Sequence, residues 1–437
     1  MKLISPILYK MEIIKKLKEN ESYRSVFTLV TGSVISQAIP FLLTPLLARL
    51  YPDFQFGVFF LFTSITLIVS GSACLQYDAA IVLPKDDEDA LYLTIICFII
   101  SLVYSMLIGF ILFIFSDSIC YLFKNETIKH WFFLVPVSVF VSGINQTISA
   151  WNNRKKQYTF ISANNITKSA SSGTVQLVAG FVKYTNAGLI MGNLIGQITA
   201  LLFQINKLYN DSRYFVGSFS LKKMLFIAKV YKKMPLYSTL SNLINNLSNQ
   251  LPVFLLTRFF GINSAGYYGL SSRIVSTPMG LIGQSVSQVF IQNAAQAYHA
   301  NQNMHILLKK MYIRLLKISI IPFLLLFIFS PVIFKLLLGN NWDWHLASNI
   351  SRILIPWLLV MFLNSPMVSI VNVLNKQSSL TIYTFLLLIF RFLAIWIGYL
   401  ISENLLFAIF LFSLTGLVFN IFLLFYLLNV SKNAYKP

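Results

Sequence analysis

Three cations stand inside strongly apolar stretches of this chain: Lys168, Arg273 and Arg391. Arg273 lies in YYGLSSRIVSTPMGLIGQSVSQVF (267–290), followed at helical spacing by Thr277, Gly280, Gln284, Gln288 and Gln292. A second series, Ser238, Ser241, Asn242, Asn245, Ser248, Asn249 and Pro252, recurs at steps of three or four. That spacing gathers it on one helix face. A third stripe comprises Ser33, Gln37, Pro40 and Thr44. Hydrocarbon cannot satisfy such stripes, so they face protein or a wet cavity. Helix–helix adhesion is the alternative for any single one of them, and snorkelling to the interface is the alternative for Arg273. Arginine grips phosphate through paired hydrogen bonds, and amides and hydroxyls suit sugar. Carboxylates are nearly absent from the same stretches. A cavity built from these residues should take a substrate with a phosphate or other anionic part.

Asp78, in LQYDAAIVLP, is either the ion-pair partner of a cation or a boundary residue. The LPKDDEDA run after it reads as a solvated loop whose acids favour the start of the next helix. Cys74, Cys97 and Cys120 form no C-x-x-C, and the four histidines have no ligand spacing, so no metal and no cofactor is expected. There is no G-x-x-x-x-G-K-[ST] loop and no Ser/His/Asp constellation. These residue types move or hold a substrate rather than make or break its bonds, which points to a transporter and not an enzyme.

The elements that must position these residues are membrane spans. Of the 437 residues 57% are hydrophobic and 11% charged, with a mean hydropathy of +0.71; soluble domains carry about 25% charged residues. The expected fold is all-α and integral to the membrane, with twelve transmembrane helices near 25–48, 56–81, 90–115, 130–150, 158–181, 186–206, 234–257, 266–293, 312–338, 350–374, 379–400 and 404–429. The net charge of +20 would suggest nucleic acid in a soluble chain; here it sits in loops and gives orientation. With both termini inside, 24 of the 34 lysines and arginines fall on inner segments and 7 on outer ones. This division implies a cytoplasmic leader (1–24), a six-helix bundle (25–206), a basic cytoplasmic linker (207–233), a second bundle (234–429) and a cytoplasmic tail (430–437). Ile7, Met11, Ile14 and Leu17 of the leader fit a short helix on the inner membrane face or a solvated segment.

The halves resemble each other. A shift of 209 residues places Arg49 on Arg258, Gly57 on Gly266, Tyr51 on Phe260, Ser33 on Asn242, Ser36 on Asn245 and Gln37 on Asn246. Six spans per half give parallel repeats about an axis along the membrane normal, with substrate between them. Lys168 and Arg391 lie about 15–18 Å into spans five and eleven, near the midplane. Aligning Asn153 with Asn375 brings Lys168 within one position of Arg391.

TGSVISQAIPFLLTPLLARLYPDFQFGVFFLF, LQYDAAIVLPKDDEDA and LSSRIVSTPMGLIGQSVSQVFIQNAAQAY resemble segments of bacterial polysaccharide-biosynthesis flippases, the O-antigen (Wzx-type) transporters. One departure is ARLYPDFQFG, where a TRLYSPEDFG-like segment is more usual. That family belongs to the multidrug/oligosaccharidyl-lipid/polysaccharide exporter superfamily. The resemblance implies two six-helix bundles in a MATE-like V. It implies flipping of an undecaprenyl-diphosphate-linked oligosaccharide across the bacterial inner membrane by alternating access through a cationic cavity. Its match carries over Arg273; Lys168 and Arg391 follow only by position. Gln37, Asn242, Asn245, Asn249, Gln284 and Gln288 complete the expected cavity. Membrane lipids, a polysaccharide polymerase and a chain-length regulator are the implied partners, and nucleic acid is not. The alternatives are a drug or cation antiporter, which would want a carboxylate in the bundle, a peptidoglycan precursor flippase, which shares the charged cavity but usually has extra spans and a different motif set, and a membrane polymerase or ligase, which would want a long outer catalytic loop.

Overall fold

A chain in hydrocarbon must satisfy every backbone amide internally, and this one does so with helices. The computed structural model describes residues 21–183, 187–212, 220–232, 234–299, 304–339, 342–369, 371 and 377–433. The leader before residue 21 lies outside the described residues. Among them, twelve helices have 18 residues or more. They are α1 (Glu21–Leu50), α2 (Asp53–Ser70), α3 (Asp87–Phe123), α4 (Leu134–Arg154), α5 (Tyr158–Phe181), α6 (Ala187–Ser212), α7 (Thr239–Phe260), α8 (Ile262–His299), α9 (Met304–Leu338), α10 (Trp344–Asn364), α11 (Gln377–Ser402) and α12 (Leu405–Asn433).

Eight of these, α1–α3, α6 and α9–α12, are long and apolar enough to cross a membrane. The protein is therefore a multi-pass membrane protein. The other four, α4, α5, α7 and α8, are more polar. In α4 and α5 the polar groups turn toward neighbouring helices. Asn145 Nδ2 donates to Gln197 O (3.0 Å), Asn152 Nδ2 to Gln204 Oε1 (3.2 Å) and Gln176 Nε2 to Leu189 O (3.1 Å). These bonds tie α4 and α5 to α6, as polar side chains do between helices in lipid.

Several expected boundaries move. The span expected at 56–81 ends at Ser70: tight turns follow, with Ser72 N bonding Val69 O and Ala73 N bonding Ser70 O, and Leu75 and Gln76 then adopt left-handed φ of 46° and 61°. Tyr77–Ala80 is then a separate short helix carrying Asp78. The span expected at 350–374 closes at Asn364. α3 has 37 residues and α8 has 38, about 55 Å each, so both outrun a bilayer core of about 30 Å. The region expected as a loop at 207–233 carries a helix, Leu221–Val230, capped by Ser220 Oγ, which accepts from Lys223 N (3.4 Å). At the start of α3, Asp87 pairs with Arg154 Nε (2.9 Å) and Lys155.

Packing repeats along the chain. α1 packs on α5, α5 on α6, α3 on α4, α4 on α6 and α2 on α4; six helices later α7 packs on α11, α11 on α12, α9 on α10, α10 on α12 and α8 on α10. α2 and α8 meet across the two sets. A Cβ on Gly57 would lie 2.2 Å from Ile262 O, and one on Gly266 would lie 2.5 Å from Asp53 O. Ile262 stands 209 residues after Asp53, and Gly266 stands 209 after Gly57. The two contacts are one contact seen from either half, the reciprocity of two-fold-related surfaces. The same end is tied further. Trp342 Nε1 donates to Ala48 O (3.0 Å) and Tyr51 O (3.2 Å), and Arg49 Nη2 to Leu336 O (2.8 Å).

Candidate functional site

Helices α7, α10, α11 and α12 enclose a cavity of about 620 Å³, within the roughly 300–1,000 Å³ common for small-molecule sites. Ser241, Asn242, Asn245 and Asn249 enter it from α7, Asn364 from the end of α10 with Ser365 just beyond it, Tyr383, Thr384 and Arg391 from α11, and Asn420 from α12. Arg391 is the one charged side chain among these lining residues. The α7 stripe read in the sequence therefore does line a cavity. The amides of Asn242, Asn245 and Asn249 have no hydrogen-bond partner among the described residues, and Asn245 and Asn249 are exposed. They are free to bond a guest.

Arg391 is only 3% exposed, so it does not snorkel. Its Nη1 donates to Ser248 O and Ser248 Oγ, both at 3.1 Å. Its Cζ lies 5.1 Å from the Trp357 ring centre and 5.3 Å from that of Phe412. The two rings meet edge to face with centroids 5.1 Å apart. A guanidinium removed from water needs such partners, and aromatic faces supply negative potential without a carboxylate. Nε is buried without a hydrogen bond among the described residues.

Gly416 of α12 makes room for the Trp357 indole, since a Cβ there would lie 2.7 Å from Trp357 Nε1. Gly416→Ala should push the ring off Arg391 and cost about 1–3 kcal/mol. Thermal unfolding in detergent checks this, and an unchanged melting temperature would show that the ring has slack.

Asn364 and Asn420 were not singled out by sequence. They brace α10 against α12: Asn364 Nδ2 donates to Asn420 O (2.7 Å), and Tyr312 OH donates to Asn364 Oδ1 (3.0 Å). The available signal was an Asn in the apolar interior of each span, with LLVMFLN running up to Asn364 and Asn420 standing in GLVFNIFLLF. Trp357 and Phe412 carried none, being indistinguishable from core residues in a chain this aromatic.

Of the other expected residues, Gln37, Lys168 and Arg273 are not among those lining this cavity. Arg273 is half-buried on α8. Gly266, Arg273 and Gly280 are seven residues apart and share a face. Gly266 abuts Asp53 of α2, and a Cβ on Gly280 would lie 3.3 Å from Gln37 Oε1 of α1. Arg273 thus points toward the first six helices, at the seam between the halves. Its guanidinium has no hydrogen bond or ion pair among the described residues. Lys168 is exposed on α5, again without a polar partner among them. It and Arg391 stand on corresponding helices, each packed on the first helix of its half. Gln284 and Gln288 lie on α8, and their side chains are outside the described ones.

Among the described residues the cavity thus gathers Arg391 with the α7 stripe, while Arg273 stands on α8 at the seam. Asp78 also departs from its candidate ion pair. It has no cationic partner among the described residues, and its Oδ1 is buried without a hydrogen bond. The nearby cations Arg154 and Lys155 are taken by Asp87. Among the described residues no group of three or more His, Cys, Asp or Glu could hold a metal.

Residues 77–347, more than half of the chain, match the family model described as polysaccharide biosynthesis protein. No curated protein matches the sequence. Solved structures with similar folds include the lipid II flippase MurJ in an inward closed conformation, at 15% identity and TM-score 0.74, covering 93% of this chain and 90% of that one. An inward-facing multidrug resistance MATE family transporter of the MOP superfamily aligns at 14% identity and TM-score 0.65, covering 94% and 95%. A MOP superfamily transporter from Pyrococcus furiosus aligns at 14% identity and TM-score 0.63, covering 97% and 98%.

Proposed function

Since the chain belongs to the polysaccharide biosynthesis protein family, we propose that it is a flippase carrying an undecaprenyl-diphosphate-linked oligosaccharide across the bacterial inner membrane for surface polysaccharide synthesis. The observation that carries this reading is the α7–α10–α11–α12 cavity, whose described lining has unpaired amides, one buried arginine and no carboxylate. Amides and hydroxyls bond sugar, and a guanidinium favours an anionic group. A proton- or cation-driven drug antiporter would want a carboxylate there instead. The MOP-type fold and the MurJ likeness fit the same reading, since MurJ is a lipid II flippase.

In this mechanism the polyprenyl tail stays in lipid and the diphosphate is drawn to Arg273 at the seam, with Lys168 adding to the potential. The glycan enters the polar cavities, and its outermost sugars reach Asn245, Asn249 and Arg391. The two six-helix units, 25–206 and 234–429, then rock about the α2–α8 contact to open the opposite end. The excess of lysine and arginine on one set of loops supports placing that set, and both termini, in the cytoplasm.

Loss of the gene should abolish surface polysaccharide and leave lipid-linked repeat units in the membrane. Restoring it as Arg273→Ala should leave polysaccharide low at normal membrane levels. Arg273→Lys should restore part of it, because charge remains but paired hydrogen bonding is lost. Full polysaccharide from the alanine variant would remove Arg273 from the mechanism.

A further inference from the structure

The helix Leu221–Val230 has two apolar sides, and the protein covers one. Ile227 is buried, and Met224, Ala228 and Tyr231 pack with it into a cluster containing Tyr77, Tyr92, Trp151 and Leu208. Polar contacts fix the rotation. Lys223 Nζ pairs with Glu88 (2.8 Å) and Asp89 (3.2 Å) and stands 5.4 Å over the Tyr92 ring. Those carboxylates, Glu88 foremost, hold its ammonium above the usual lysine range. Tyr77 OH donates to Ala228 O (3.0 Å), and Ser220 N donates to Tyr92 OH (2.9 Å). With this face pinned, the other cannot turn inward. It carries Leu221, Leu225, Phe226 and Val230, 55–66% exposed, with Lys222 and Lys229 between them.

The position of the helix says what covers that face. Leu208, in the cluster that seats Ile227, is three residues beyond Ile205 on α6. Leu202, Phe203 and Ile205 are 60%, 40% and 45% exposed on a helix apolar enough to cross a membrane. The seat of the helix is thus about one helical turn, roughly 5 Å, from lipid-facing surface. Residues 220–232 contain Lys222, Lys223, Lys229 and Lys232 and no acid. Lys223 is spent on Glu88 and Asp89; the other three are exposed.

We propose that this helix docks on the anionic surface of the leaflet at its own end of the protein, with Leu225 and Phe226 entering the acyl boundary and Lys222, Lys229 and Lys232 meeting lipid phosphates. An interfacial helix buries its apolar side about 5–10 Å into the headgroup–acyl boundary, and lysine stems snorkel back to the phosphates. The docked helix pins the linker between the halves to the membrane through the first half only.

The test is spin-label depth in the full-length protein reconstituted in vesicles. Cys74, Cys97 and Cys120 are all buried, so a maleimide label goes to an introduced cysteine. Phe226→Cys and, separately, Leu225→Cys are labelled, with Lys156→Cys as the water-exposed reference. In phosphatidylcholine vesicles containing phosphatidylglycerol, both labels should meet oxygen more and a water-soluble nickel chelate less than the reference does. Omitting phosphatidylglycerol, or combining Lys222→Gln, Lys229→Gln and Lys232→Gln, should weaken that contrast, by up to about fivefold in partition per lysine. Nickel access equal to the reference in the anionic vesicles would overturn the proposal. Shielding from both oxygen and nickel would overturn it too, by showing that protein covers the face.

Discussion

Gly57→Val and Gly266→Val should each nearly abolish polysaccharide export while the protein still inserts. A Cβ at either position meets a backbone carbonyl, Ile262 O at 2.2 Å or Asp53 O at 2.5 Å. A backbone in two packed helices cannot swing aside as a flexible side chain can, so α2 and α8 must separate. Overpacking of this kind costs about 3 kcal/mol. That is about a hundredfold in the balance between this closed end and an open one. The related bonds from Trp342 to Ala48 and Tyr51 would be strained with it. Because both substitutions wedge the same seam, the milder Gly57→Ala and Gly266→Ala should combine to less than the sum of their separate costs. Export by complementation, set against membrane levels and thermal unfolding, checks this. Additive effects would mean that the two glycines do not share one contact.

Arg391→Ala should reduce translocation at least tenfold, the equivalent of about 1.4 kcal/mol. It removes the one charge among the described lining residues of the cavity and leaves Ser248 and the Trp357–Phe412 pair facing a void. Arg391→Lys should recover only part of the activity. An ammonium keeps the charge but lacks the planar guanidinium that bonds both oxygens of Ser248 while packing against Trp357 and Phe412. Arg391→Met separates charge from packing, since it fills the space with an apolar chain. Its melting temperature should approach that of the unmodified protein while its transport stays low. Normal transport in Arg391→Met would make Arg391 a packing residue.

Much of this arrangement is written locally in the chain. The Ser/Asn series of α7 has helical spacing, and it proves to line a cavity. The 209-residue shift that superposes Gly57 on Gly266 reappears as a reciprocal contact between α2 and α8. The polar α5 is a helix whose Gln176 bonds Leu189 O of its neighbour α6, and α7 turns its amides to a cavity rather than to lipid. What spacing does not encode is how each helix is rotated within the bundle. Arg273 and Arg391 look alike in sequence, each a lone cation among apolar residues. One faces the seam and the other a cage of Trp357, Phe412 and Ser248. Likewise Tyr77–Ile81 prolongs the apolar run of α2, so the break after Ser70 could not be seen in hydropathy. Lysines hid the Leu221–Val230 helix in the same way, by making its apolar positions read as loop.

The most direct test of the flippase account is translocation by the purified protein. Lipid-linked oligosaccharide from the source cell's membranes is placed in the inner leaflet of proteoliposomes. Its arrival outside is read by oxidation with membrane-impermeant periodate. The account predicts that the unmodified protein makes the glycan accessible well above protein-free vesicles, and that Arg273→Ala and Arg391→Ala stay near that background. Exposure no greater than in protein-free vesicles, or equal exposure with both alanine variants, would contradict it.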